Sequence, residues 1–142
     1  PEKENVMHFS KNLFGNDKII FKEEVQKKEL RKELLSSHVL IIPLIESDIF
    51  ELTIPSKVFD YMTFQIPIIS TIAGEGKQIL SKSKSNINTN LTVDDLAESF
   101  SDIYMNYKKY SSCSVQNKLI VQNYTRTNSN LEFIKILNEI NK

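Results

Sequence analysis

The chain predicts an α/β protein: a parallel sheet with helices on both of its faces. Three observations carry that expectation. Apolar strand-like runs and amphipathic helical stretches alternate from about residue 18 to residue 80, the order that places crossover helices between parallel strands. The runs 39–44 and 66–71 are almost wholly apolar, as strands are when helices cover both faces. With 40% hydrophobic and 25% charged side chains, 142 residues suffice for one compact domain with a core.

The elements follow in order. Val6, Phe9 and Leu13 recur at helical spacing among Lys, Glu and Asn, predicting an amphipathic helix over 2–13. Gly15-Asn16-Asp17 is a helix stop and turn. Ile19-Ile20-Phe21 predicts a short buried strand, and Val25, Leu30 and Leu34 mark a second helix with Lys and Glu outside. The run VLIIPL (39–44) is the next strand, followed by an acid-bearing loop over 45–53. A helix from 55 to about 64 opens on Pro55, where a missing N–H costs nothing. Residues 66–71 form the third strand, and Ala73-Gly74-Glu75-Gly76 turns into a short helix ending near Leu80. The polar stretch 81–90 is a solvated connection with a weak edge strand at 86–89. Beyond Val93 the chain is helical, with one apolar stripe of Leu96, Phe100, Ile103 and Tyr107. Leu131, Ile134, Leu137 and Ile140 form another. Residues 93–142 are thus the C-terminal helices of a single domain over 1–142.

Composition narrows the function. Eighteen basic and eighteen acidic side chains balance to zero, so no general attraction to nucleic acid or anionic lipid follows, and no nucleic-acid partner is expected. The lone Cys113 excludes an internal disulfide and fits a reducing compartment. Neither His8 nor His38 has a partner at metal-ligand spacing, so no metal is expected. No apolar run nears the ~20 residues of a membrane helix, and no secretory signal opens the chain. A cytoplasmic location is expected. Residue 1 is proline and the text there already reads as mid-helix, which suggests a piece of a longer protein.

The candidate site lies in IPSKVFDYMTFQIPIISTIAGEGKQIL, residues 54–80. A helix N-terminus has free N–H groups and partial positive charge, which suits an anion. At about 100° per residue, Pro55, Val58, Phe59 and Met62 share one side of the helix. Ser56, Asp60 and Thr63 share the other, with Lys57 beside them. Ser56 and Lys57 offer a hydroxyl and an ammonium to phosphate oxygens; Asp60, an acceptor alone, suits ribose or sugar hydroxyls. A plainer description fits the same residues: Ser56 as helix cap, Lys57 solvated, Asp60 a first-turns acid. The residues by themselves leave both open. Elsewhere, Gly74 and Gly76 lack the third glycine of a dinucleotide fingerprint and read as a turn. Asp94-Asp95 reads as helix capping, Cys113 as an inert thiol, and Tyr104, Tyr107 and Tyr110 as packing and surface residues.

The same string resembles the donor-binding region of group 1 glycosyltransferases of the GT-B fold. It looks most like the bacterial cell-surface polysaccharide enzymes that read Pro-Ser-Lys, apolar, acid-Tyr-Met, Gly-Lys-Pro-Val-Ile. Upstream, IIFKEEVQKKELRKELLSSHVLIIPL resembles that family's strand, turn, helix and apolar strand, so the similarity covers roughly 1–106. The resemblance implies a Rossmann-like parallel sheet flanked by helices, the incomplete C-terminal half of a GT-B fold. Its missing first strands would leave a gap between the Ile19 and Val39 strands. It implies that Asp60 binds the ribose hydroxyls and that Ser56 and Lys57 stand at the diphosphate-side helix start. Glu51 falls near the family's first glutamate, one residue beyond the usual spacing, and Glu24 and Val25 border the base. Gln65 stands where the family commonly has glycine.

Function follows from the same resemblance. The implied reaction moves a sugar from a nucleoside-diphosphate sugar to a saccharide or lipid-linked acceptor, with no cofactor besides the donor and no obligatory metal. The catalytic residues would lie in an N-terminal acceptor domain or partner subunit, and the intact enzyme would associate peripherally with the membrane. Two rival classes stay open: a nucleotide-sugar epimerase of the same architecture, and a non-catalytic α/β binding subunit that needs a partner.

Overall fold

The apolar runs at 39–44 and 66–71 supply strands β1 (Leu40–Ile42) and β2 (Ile68–Ser70), paired in parallel in this computed structural model. The structure describes residues 2–14, 18–45 and 53–140. Strand β3 (Ile87–Asn88), at the expected weak edge, joins β2 in parallel, giving the order β1-β2-β3. The register sets Leu40 against Ile68, Ile41 against Ile69, and Ile69 against Ile87. The helices described are α1 (Glu2–Phe14), α2 (Lys27–Leu35), α3 (Ser56–Met62), α4 (Gly74–Ser81), α5 (Val93–Met105), α6 (Tyr107–Cys113), α7 (Val115–Gln122) and α8 (Arg126–Ile140). They divide between two compact units, Pro1–Glu33 and Leu34–Lys142.

In the second unit the sheet separates two apolar clusters, because successive strand side chains point to opposite faces. Leu40, Ile42 and Ile68 turn one way and pack with Val58 and Met62 of α3 and with Ile79 and Leu80 of α4. Ile69 turns the other way and packs with Ile103 of α5 and Tyr110 of α6. The arrangement is a small open parallel sheet flanked by helices, consistent with a Rossmann-like layout.

The first unit departs from expectation. Residues 18–26, including Ile19-Ile20-Phe21, form neither strand nor helix. Ile19 is 42% and Ile20 78% exposed. Their apolar run matches that of β1, but no other strand is described in this unit. Without a described strand beside it, the run has no ladder to join. The expected gap between an Ile19 strand and the Val39 strand therefore has no counterpart: the sheet is three contiguous strands. Two ion pairs hold the described parts of this unit, Lys3 to Glu23 at 2.7 Å and Lys22 to Glu33 at 2.6 Å. The hydrogen bond from Lys3, followed by its charge, holds the Glu23 carboxyl below its usual range.

Asp94-Asp95, expected to cap a helix, stand inside the first turn of α5, and the cap is Thr92. Thr92 caps α5 by accepting from the Asp95 N–H at 3.1 Å, and its hydroxyl donates to the Asp95 carboxylate at 2.7 Å. Hydrogen bonds from Thr92 and Asn90 hold the Asp95 carboxyl below its usual range. The Tyr110 hydroxyl donates to Asp102, which pushes the phenol up to about 12. The stripe on α5 is buried at Ile103 and half-buried at Leu96, whereas Phe100 is exposed. Leu131, Ile134, Leu137 and Ile140 on α8 are all exposed.

A buried polar cluster joins α7 to the base of β2. Asn117 is fully buried and donates to the Ile66 carbonyl at 3.1 Å. Its amide pairs reciprocally with that of Asn86, at 2.8 and 3.2 Å. Asn86 also donates to the Leu80 carbonyl at 3.1 Å, and the Ser85 hydroxyl donates to Asn117 at 3.3 Å.

Gln65 precedes β2 with φ of 56°, a left-handed conformation that costs a residue with a Cβ about 1–2 kcal/mol. Gln65→Gly removes that strain and raises unfolded-chain entropy, a loss of about 0.5–1 kcal/mol. The net expected outcome is a stabilisation of up to about 1.5 kcal/mol, read as a higher midpoint in urea. A lower midpoint would show that the Gln65 side chain does more for the fold than its strain costs.

Candidate functional site

The carboxyl end of β1 runs into Pro43 and Leu44, and the start of α3 stands beside it. Pro55 holds the N-cap position (φ −59°, ψ 132°) with no side-chain capping bond, and Ser56 is the first helical residue. Ser56 is therefore not the cap of α3, which removes that part of the plainer description. Val58 and Met62 are buried and Phe59 half-buried, whereas Ser56, Lys57 and Asp60 are exposed. The two-sided helix predicted from the sequence is the one formed. Phe59 rests on the Tyr124 ring with centroids 5.5 Å apart, and Lys82 Nζ donates to the Tyr124 hydroxyl at 2.6 Å.

A shallow cleft of about 260 Å³ lies there, lined by Ile42, Pro43, Leu44, Pro55, Ser56 and Lys57. Asp60, one turn further along α3, is not among its lining residues. The Asp60 backbone carbonyl accepts from Thr63 N–H at 3.2 Å and from Thr63 Oγ1 at 2.7 Å. Its carboxylate makes no hydrogen bond or ion pair among the described residues. Glu51 lies outside the described residues. Glu24 and Val25 belong to the other compact unit, on the irregular segment before α2, with Glu24 exposed and Val25 half-buried. The structure thus brings Ser56 and Lys57 together on one cleft, with Asp60 on the same exposed helix face.

A second cavity, of about 550 Å³, opens beyond the carboxyl ends of β2 and β3. Its polar lining includes Thr71, Lys77, Asn88, Thr89, Asn90 and Thr92. Leu44 lines the first cleft and its chain neighbour Ile45 lines the second. Thr71 Oγ1 fastens this rim: it accepts from Leu44 N–H and donates to Leu44 O, both at 2.8 Å. Gly74 starts α4 at φ of 62°, in the left-handed region where a glycine carries no Cβ penalty. Gly76 lets α4 lie close to the start of α3, since a Cβ there would come within 2.9 Å of Ile72 Cδ1 and 3.7 Å of Pro55 Cδ. Gly74, Glu75 and Gly76, expected in a turn, already belong to α4, and Lys77 and Asn88 carry no motif that marks them in the sequence. The signal that points to them is position: Asn88 ends β3 and Lys77 lies early in the helix that follows β2, the rim where open parallel sheets bind ligands.

No group of His, Cys, Asp and Glu among the described residues is arranged to hold a metal ion. Among the same residues, no helix is long and apolar enough to cross a membrane. The fold and the clefts define an α/β protein with a small open parallel sheet and two clefts on its carboxyl rim, one lined mostly by apolar side chains and the other largely polar. No protein-family model, curated protein or solved structure matches the chain.

Proposed function

We propose that this chain is the donor-binding part of a glycosyltransferase, holding a nucleoside-diphosphate sugar while an acceptor domain or partner subunit supplies the acceptor and the catalytic residues. The observation that carries the reading is the placement of Ser56 and Lys57. Within a segment that resembles group 1 glycosyltransferases, they begin a helix and line a cleft at the carboxyl end of β1. In that reading Lys57 and the Ser56 hydroxyl meet the diphosphate, and Asp60 accepts from the ribose hydroxyls. A departing diphosphate gathers negative charge, and a fixed ammonium near it stabilises that charge without a metal. The Rossmann-like sheet supports the reading as the C-terminal half of a GT-B fold, acting in cell-surface polysaccharide synthesis at the cytoplasmic side of a membrane.

Calorimetric titration with uridine and uridine diphosphate tests it. Asp60→Ala should weaken both ligands about tenfold, the scale of a lost hydrogen bond to a charged group. Lys57→Ala should weaken the diphosphate more than the nucleoside. Both side chains are exposed, so neither variant should lose more than about 0.5 kcal/mol of stability. Equal affinities across wild type and both variants would end the proposal.

A further inference from the structure

The polar side chains around the larger cavity differ in what their hydrogen-bonding atoms already do. The Thr71 hydroxyl is bonded to both backbone groups of Leu44. Thr92 Oγ1 and Asn90 Nδ2 donate to the Asp95 carboxylate, at 2.7 and 3.1 Å. The Asn88 carbonyl oxygen accepts from Ser70 Oγ at 2.6 Å, while its N–H₂ end has no acceptor among the described residues. Lys77 forms no ion pair among those residues either. Thr89 contributes a hydroxyl, and no described carboxylate lines the space.

A neutral sugar presents hydroxyls, and carboxylates are the side chains that accept from them without competing. The described lining of this cavity offers instead an ammonium and an amide donor, the complement of a charged acceptor. Its volume of about 550 Å³ lies within the range of small-ligand sites. A nucleotide-sugar donor carries an oxyanion in its diphosphate, and an acidic sugar adds a second, its carboxylate. The Ser56–Lys57 cleft takes the first in the reading above.

Resting on that reading, we propose that the cavity beyond β2 and β3 receives the carboxylate of an acidic donor sugar, a uronic acid, with Lys77 and Asn88 donating to it. Lys77 is then a specificity residue: it selects an acidic sugar over its neutral counterpart by a charge-assisted contact that a hydroxymethyl group lacks.

Calorimetric titration with uridine diphosphate, UDP-glucose and UDP-glucuronate reads the preference. Wild type should bind UDP-glucuronate about tenfold more tightly than UDP-glucose, and Lys77→Gln should level the two. Equal affinities in wild type would overturn this assignment and leave the donor-binding reading standing. A loss on Lys77→Gln as large for uridine diphosphate as for UDP-glucuronate would put the diphosphate in the cavity and overturn it too. Failure of all three ligands to bind wild type would overturn the donor-binding reading, and the cavity is then judged without a nucleotide. Free glucuronate, and not glucose, should shift the amide resonances of Gly74, Lys77 and Asn88. Identical or absent shifts with the two sugars would overturn the assignment of the cavity.

Discussion

Asn117→Leu should lower the unfolding free energy by about 2–4 kcal/mol, the scale expected when a buried polar cluster loses one member. Asn117 is fully buried, and leucine has nearly its shape, so little cavity term enters. What changes is hydrogen bonding. The Ile66 carbonyl loses the donor that approaches it at 3.1 Å. The Asn86 amide loses both halves of its reciprocal pair and keeps its bond to the Leu80 carbonyl and the one it accepts from the Ser85 hydroxyl at 3.1 Å. Each group left buried and unpaired costs more than a formed bond contributes. Urea denaturation of Asn117→Leu, with Lys118→Ala as an exposed neighbour, checks this. A midpoint shared by all three proteins would show that the cluster contributes nothing to stability.

Met62→Ala should cost about 2–5 kcal/mol of stability, the range for truncating a buried long apolar side chain. Met62 is wholly buried in the cluster that joins α3 to β1, β2 and α4. The consequence reaches the site, because α3 has seven residues and holds its cleft-facing side chains by its buried side. Nucleotide affinity should fall together with the melting temperature. Asp60→Ala should behave oppositely, with affinity lost and melting temperature kept. Thermal melts with and without uridine diphosphate separate the two patterns. A Met62→Ala protein with wild-type melting temperature would show that α3 is anchored elsewhere.

Several of these features were legible in the sequence for identifiable reasons. The start of α5 shows in Asp94-Asp95, acids that favour a first helical turn, whereas its cap, Thr92, was not singled out. The burial of Val58 and Met62 against the exposure of Ser56, Lys57 and Asp60 follows from the helical repeat. The weak strand at Ile87 showed as an apolar residue among polar ones. Ile19-Ile20-Phe21 has the same local signature as β1, but a strand is defined by its neighbour, and no local pattern encodes a neighbour. The cavity beyond β2 and β3 was hidden for a related reason. Lys77 and Asn88 belong to separate elements, and the parallel pairing of β2 with β3 brings their surroundings together. Gln65 shows a third case: a left-handed backbone angle at a residue with a Cβ leaves no mark in the local sequence.

The Thr71 hydroxyl also acts as an index pin for β1. Leu40 and Ile42 are sealed in the core while Ile41, between them, is 36% exposed. A strand of three residues has few ladder bonds to oppose sliding, and a slip of one position would exchange its two faces. Ile41 would then enter the α3 and α4 side, Leu40 and Ile42 would be uncovered, and Pro43 would advance into the pairing without an N–H to give. The pair of 2.8 Å bonds from one side chain to both polar groups of Leu44 opposes that slide at the strand's downstream end. The same two bonds fix the height at which the chain leaves the sheet, and with it the level of the rim.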